Sequence, residues 1–178
     1  GENVMNGYWN DPEATAATLI NGWIHTGDIG EFDEEGYLKI TDRKKDIIVN
    51  AGGDNISPSR IEAKLDIEPE IAQSMLYGDF KNYLVAVIVP DKEQALIWAK
   101  DNQKDTNITK LINDEEFIKN IKEVVNRVNK NLSVIEQVRK FILIDHEFTI
   151  ENSMMTPSMK VRRFKVKENY KDNLEKLY

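Results

Sequence analysis

The sequence predicts an α+β fold, a three-stranded sheet with helices packed on it, and three features carry that expectation. The run Tyr83-Leu84-Val85-Ala86-Val87-Ile88-Val89 is unbroken and apolar, as a central strand covered on both faces would be. Phe117, Ile118, Ile121, Val124, Val125 and Val128 recur at the helical period, so that segment reads as an amphipathic helix. Short apolar runs and helix starts alternate with glycine-bearing turns from one end of the chain to the other. At 178 residues, 40% hydrophobic and 31% charged, the chain can form one sizeable domain, or a small one with part of another.

Composition narrows the function classes. A net charge of -7 argues against a general nucleic-acid binder, although Lys160 to Tyr178 carries seven basic and three acidic residues. Without cysteine there is no disulfide and no thiolate chemistry, and with only His25 and His146 a histidine-built metal site is not expected. The longest apolar run falls far short of the roughly 20 residues that span a bilayer. No basic-then-apolar leader opens the sequence. A cytoplasmic location is the default expectation, with peripheral contact at a membrane surface left open.

Taken in order, Gly1 to Gly7 reads as the continuation of something larger. Asp11-Pro12-Glu13 opens a short helix, with Asp as N-cap and Pro at the first position, and Asn21-Gly22 ends it. Ile24 to Phe32 and Tyr37 to Thr41 form a hairpin around Asp33-Glu34-Glu35-Gly36. Asp42-Arg43-Lys44-Lys45-Asp46 would make a poor strand, and reads as a charged joint. After it come a short strand, Ile47-Ile48-Val49, and the turn Asn50-Ala51-Gly52-Gly53-Asp54-Asn55. A helix then starts in one of two frames, with Ser57 before Pro58 or with Ser59 and Glu62 as a capping box. Ile71 to Tyr77 and Tyr83 to Val89 are strands, Asp91 with Gln94 caps a helix, and Asp101 to Thr109 is polar loop. Asn113 with Glu116 caps the amphipathic helix, Val138 to Ile144 is a third strand, and Glu147 to Ser158 is irregular. A last helix bears Tyr170, Leu174 and Leu177. The expected division is 1–43, a joint at 44–46, and a compact domain over 47–178.

Three short motifs sit where loops meet strands, and each has a plain structural explanation when taken alone. Asp28, in Gly22-Trp23-Ile24-His25-Thr26-Gly27-Asp28, can accept two hydrogen bonds from a vicinal diol, or simply satisfy its own turn. Arg43 offers a planar donor fork to a phosphate or ribose oxygen, or is one of a solvated run of charges. Lys160, after Thr156-Pro157-Ser158-Met159 and before Val161-Arg162-Arg163, is placed to meet an anion, or is a surface lysine.

The motifs stand in one order along the whole chain, with Gly7-Tyr8-Trp9-Asn10-Asp11-Pro12-Glu13-Ala14-Thr15 before them and Gly52-Gly53-Asp54-Asn55-Ile56-Ser57-Pro58 among them. In that order they resemble the AMP-forming acyl-CoA synthetases of the adenylate-forming superfamily, most of all the long-chain fatty acid group. The resemblance implies a small C-terminal lid domain preceded by the end of a large adenylation domain. It implies an acid–thiol ligase that uses ATP, Mg2+ and CoA to activate a fatty acid, with no cofactor bound tightly to this chain. It matches Lys160 to the lysine bridging carboxylate and α-phosphate, Asp28 and Arg43 to the nucleotide contacts, Lys45 to the hinge, and Gly52 and Gly53 to the wall of the CoA thiol channel. Arg162, Arg163 and Lys165 are candidates for CoA phosphates on charge alone. Met159 stands where many members have glycine, and Arg60 where many have glutamate. The family's phosphate loop, acyl pocket and Mg2+ carboxylate have no counterpart here, so the chain by itself is expected to be inactive. The alternatives are another adenylate-forming enzyme, such as a fatty acyl-AMP ligase or a peptide-synthetase adenylation module, and a non-catalytic binding module.

Overall fold

The computed structural model describes residues 1–178, which divide into two compact units, Gly1–Lys45 and Asp46–Tyr178. In the first unit, helix α1 (Pro12–Thr18) starts as its sequence dictates: Asp11 accepts from the Ala14 N–H and proline occupies the first turn. It ends earlier than expected. Asn21-Gly22 is not the helix stop but the tight turn between β1 (Leu19–Ile20) and β2 (Trp23–Ile24), which pair antiparallel. Its φ values of 53° and 80° are those a two-residue hairpin demands, and Asn-Gly supplies them at least cost.

The strand expected from Ile24 to Phe32 is interrupted at 25–27, so β2 and β3 (Asp28–Phe32) are separate. β3 pairs antiparallel with β4 (Leu38–Arg43), around a turn in which the Asp33 carboxylate accepts from the Glu35 and Tyr37 N–H groups at 3.0 and 2.8 Å. Asp42 and Arg43, read from sequence as too charged for a strand, are its last residues. Arg43 lies directly across the ladder from Asp28, so the charge that disfavoured a strand is met by its opposite. Trp9, Trp23, Phe32, Tyr37 and Leu38 are all exposed, and α1 buries nothing.

The second unit holds the cores. A small ribbon, β5 (Ile48–Val49) with β6 (Asn55–Ile56), leads into α2 (Pro58–Leu65), where Ser57 is the N-cap residue and Pro58 the first helical one. The main sheet has the order β7 (Ile71–Tyr77), β8 (Leu84–Pro90), β9 (Val138–Leu143). β7 and β8 are antiparallel; β8 and β9 are parallel, joined through α3 (Lys92–Asp101), α4 (Ile108–Leu111) and α5 (Glu115–Asn129). The short α4 falls within and beyond what the sequence suggests is loop; Asn107 caps it by accepting from the Thr109 N–H.

β8 is buried along its whole length and divides its side chains strictly by parity. Leu84, Ala86 and Ile88 join one cluster with Ile61 and Leu65 of α2 and Phe117, Ile121, Val124 and Val125 of α5. Val85, Val87 and Val89 join another with Phe148, Met154, Met155 and with Val166 and Leu174 of α6 (Arg163–Glu175). The expected cover on both faces is present. The helix start predicted at Asn113 lies one residue on: Asp114 accepts from the Glu116 and Phe117 N–H groups, while the Asn113 amide closes back on the Thr109 carbonyl.

Candidate functional site

Asp28 and Arg43 come together. They are ladder partners at the open end of the β3–β4 ribbon, and Arg43 Nε lies 2.8 Å from Asp28 Oδ1. The Arg43 guanidinium also donates to the Thr26 carbonyl at 3.3 Å, and the Asp28 N–H to the Thr26 hydroxyl at 3.1 Å. Both side chains are partly open to solvent, at 51% for Arg43 and 27% for Asp28. Such a pair adds little to stability. Its effect is geometric: it fixes the carboxylate by one oxygen, Oδ1, while the guanidinium is held a second time by the Thr26 carbonyl. Lys44, Lys45 and Asp46 form the turn after β4, and Lys45 is exposed.

On the second unit, Gly52 and Gly53 cap the β5–β6 ribbon and are exposed. The loop is closed by Asn50: its side-chain amide donates to the Asp54 carboxylate, its side-chain oxygen accepts from the Asp54 N–H, its backbone N–H donates to the Asp54 carbonyl, and its backbone carbonyl accepts from the Gly53 N–H. Gly53 has φ +86°, and a Cβ there would touch nothing within 4 Å; the requirement for glycine is purely conformational. At Gly52 an added Cβ would lie 3.3 Å from the Asn50 side chain, so a larger residue would press on the group that shapes the loop.

Lys160 sits on a closed loop of the same unit. The Thr156 N–H donates to the Lys160 carbonyl (2.8 Å), the Lys160 N–H to the Thr156 hydroxyl (3.1 Å), and the Arg162 N–H to the Met154 carbonyl (2.7 Å). Met159 takes φ +60° at the tip, a left-handed conformation that favours glycine over a residue with a side chain. The Lys160 side chain is exposed and its ammonium makes no ion pair and no hydrogen bond. The backbone is held on both sides while the charge is free.

Sequence reasoning missed the group behind this loop. Glu62 is buried, and Arg163 clasps both of its carboxylate oxygens; Glu62 Oε1 also accepts the Leu76 N–H at 2.7 Å. The Ser59/Glu62 capping box is therefore not what Glu62 serves, and Arg163, offered on charge as a CoA phosphate contact, is occupied by Glu62. Lys165 pairs with Glu168 at 2.7 Å, and Arg162 lies over the Phe164 ring. Nearby, the Asp66 carboxylate accepts from the Ser74 hydroxyl at 2.7 Å. Burial pushes its pKa up to about 7, the Ser74 bond opposing and the Glu62 charge adding. Arg60 pairs with Glu136. A carboxylate in the glycine-loop helix and an arginine just after the lysine motif were the only signals, and nothing local joined them. No group of three or more His, Cys, Asp or Glu side chains is gathered for a metal ion, and no helix is long and apolar enough to cross a membrane.

A glycine ribbon, a lysine loop and a three-stranded α+β body define a class. The chain belongs to the family of AMP-binding enzyme C-terminal domains, whose model matches residues 45–178. Among its relatives is the long-chain-fatty-acid–CoA ligase FadD15 of Mycobacterium tuberculosis, 38% identical over 100% of this chain and 30% of that protein. Among solved structures, the adenylation domain of a carboxylate reductase from Mycobacterium chelonae superposes with a TM-score of 0.84 at 30% identity, over 97% of this chain and 26% of that one. The adenylation domain of a carboxylic acid reductase from Segniliparus rugosus, in complex with AMP and a co-purified carboxylic acid, gives a TM-score of 0.81 at 28% identity, over 97% of this chain and 26% of that one. The chain thus spans about a third or less of the length of the proteins it matches.

Proposed function

We propose that this chain is the C-terminal part of an AMP-forming long-chain fatty acid–CoA ligase, in which it supplies the lid and the mobile half of the active site. The observation that carries the reading is Lys160, an unpaired ammonium on a backbone held at both neighbours. In the first half-reaction a fatty acid carboxylate oxygen attacks the α-phosphorus of ATP. An acyl-phosphate bond forms, and the bond to pyrophosphate breaks. Two anions must approach, and a fixed cation between them lowers the barrier in a way that mobile solvent cannot. Asp28 receives the ribose hydroxyls on the carboxylate edge that Arg43 leaves open, and Arg43 stands by the nucleotide. Mg2+ enters this reading only with the phosphates of the nucleotide, whose charge it would offset.

In the second half-reaction the CoA thiol attacks the acyl carbonyl and AMP leaves. Lys160 has no role there; Lys45 turns, and the Gly52-Gly53 loop lines the path of the pantetheine arm, since bare backbone admits close approach. Support comes from the named function of the relative and from the AMP-bound state of the structural neighbour. In the full-length protein that carries this chain, Lys160→Ala lowers adenylation by roughly 100-fold or more, the scale of losing one preorganised charge. Thioester formation from supplied acyl-adenylate stays near the unaltered rate. Equal loss of the two half-reactions, read separately by pyrophosphate exchange and by CoA consumption, defeats the assignment.

A second reading changes only the acceptor, because the two solved structures described above are adenylation domains of reductases rather than CoA ligases. Free CoA offered to the acyl-adenylate form separates the two: turnover supports the ligase, and its absence supports an adenylating enzyme with another acceptor.

A further inference from the structure

Lys160 can do its work only if its backbone is placed to within a fraction of an ångström, because misplacement by about 1 Å can cost 100-fold in rate. Its loop is closed at the mouth by the Arg162–Met154 bond, and the incoming side is rooted by the buried Met154 and Met155. The outgoing side runs at once into α6, whose first residue is Arg163. That side chain does not point to solvent. It lies on α2, where its two terminal nitrogens meet the two oxygens of Glu62 and one also reaches the Ser59 hydroxyl at 3.4 Å. The Glu62 and Arg163 side chains are only 10% and 21% exposed, and Glu62 is tied in turn to the central sheet through the Leu76 N–H of β7.

We infer that Glu62 and Arg163 are positioning residues for Lys160: a buried, two-pronged clasp that fixes the outgoing side of the lysine loop against α2 and the sheet. The inference rests on the adenylation role proposed for Lys160. Stability alone is a weak reason for such a pair, since a buried ion pair often gains nothing over well-packed apolar side chains. Direction is what a planar fork provides and a single ammonium does not: two parallel bonds allow one orientation of the guanidinium, hence one path for the chain from Lys160 to α6. The clasp also spans the two working loops. α2 follows directly from the Gly52-Gly53 ribbon, so the glycine loop and the lysine loop are held to one frame.

The test uses the full-length protein with Arg163→Lys, and with the neutral pair Glu62→Gln/Arg163→Met, in which glutamine can still accept the Leu76 N–H. Arg127→Met, which removes an exposed pairing with Glu68 and Glu70, serves as the control for loss of an arginine. Adenylation kcat is expected to fall about 10- to 100-fold in both clasp variants. KM for ATP and fatty acid should move by less than about threefold, and thioester formation from supplied acyl-adenylate should be nearly unchanged. Amide exchange should quicken at Lys160 and Arg162 but not at Val87. Three results would overturn the inference: clasp variants that adenylate at the unaltered rate, both half-reactions falling together in proportion to unfolded protein, or a neutral pair that restores adenylation in full. Lys160→Ala run alongside keeps the two levels apart. If it leaves adenylation intact, the role of Lys160 itself fails; if it abolishes adenylation while the clasp variants do not, only the clasp fails.

Discussion

At Gly53 the backbone alone decides the residue. Its φ of +86° is open to glycine and costs an L-residue about 1 kcal/mol, while the space around a Cβ is empty. Gly53→Ala is therefore expected to destabilise the second unit by about 1 kcal/mol, and Gly53→Asn by less, as urea midpoints at constant m would report. Met159, at φ +60°, shows the opposite choice: a side chain accepted in a left-handed position beside the lysine. Such details were partly legible. A Gly-Gly pair between apolar runs signals a turn, but which glycine carries the positive φ depends on how Asn50 and Asp54 close the loop. Asp28 and Arg43 each stand out in the sequence as single motifs. Their pairing follows from a ladder register with a bulge between Ile29 and Gly30, and no period in the sequence announces a bulge.

Among the elements, α5 shows how far local rules reach. Its apolar face was readable from spacing, and Phe117, Ile121, Val124, Val125 and Val128 are the residues it buries. Its start was misread by one position because Asn113 and Asp114 are both good caps. The preceding turn settles the matter: Asn113 is taken by the Thr109 carbonyl, and the Asp114 carboxylate is left to accept two N–H groups. Lys104 also lies 3.0 Å from that carboxylate and, with the N–H bonds, holds its pKa below the usual range. Asp114→Ala should cost about 1 kcal/mol, against near zero for Asn113→Ala, a contrast that thermal unfolding of the two variants can check. Glu62 marks the limit of such reading. Three residues after Ser59 it has the look of a capping box, yet its partner Arg163 is 101 positions away. Only the completed sheet brings α2 and α6 close enough to pair.

At the scale of the whole molecule, Asp66 is the group through which pH acts near neutrality. Its pKa in the folded unit stands near 7 against 3.8 for the free side chain, so between those values the folded state binds more protons than the unfolded one. Stability from this group is complete below about pH 4 and is lost as pH rises towards and through 7. In Asp66→Asn that slope should flatten, as chemical unfolding at pH 5 and pH 8 would record. The two-faced burial of the sheet was visible in the run from Tyr83 to Val89, because a strand with no polar alternation must be covered twice. The parallel pairing of β8 with β9 was not, and it carries a consequence for biogenesis. β7 and β8 can meet as soon as their hairpin emerges, but β9 begins only at Val138, after three helices. On the ribosome, then, the most apolar strand of the protein waits with one edge bare while residues 91–137 are made. Long-range closure of this kind is slow, and an open apolar edge invites pairing with another chain. The interval between synthesis of Pro90 and arrival of Val138 is thus the period when a nascent-chain chaperone has most to protect.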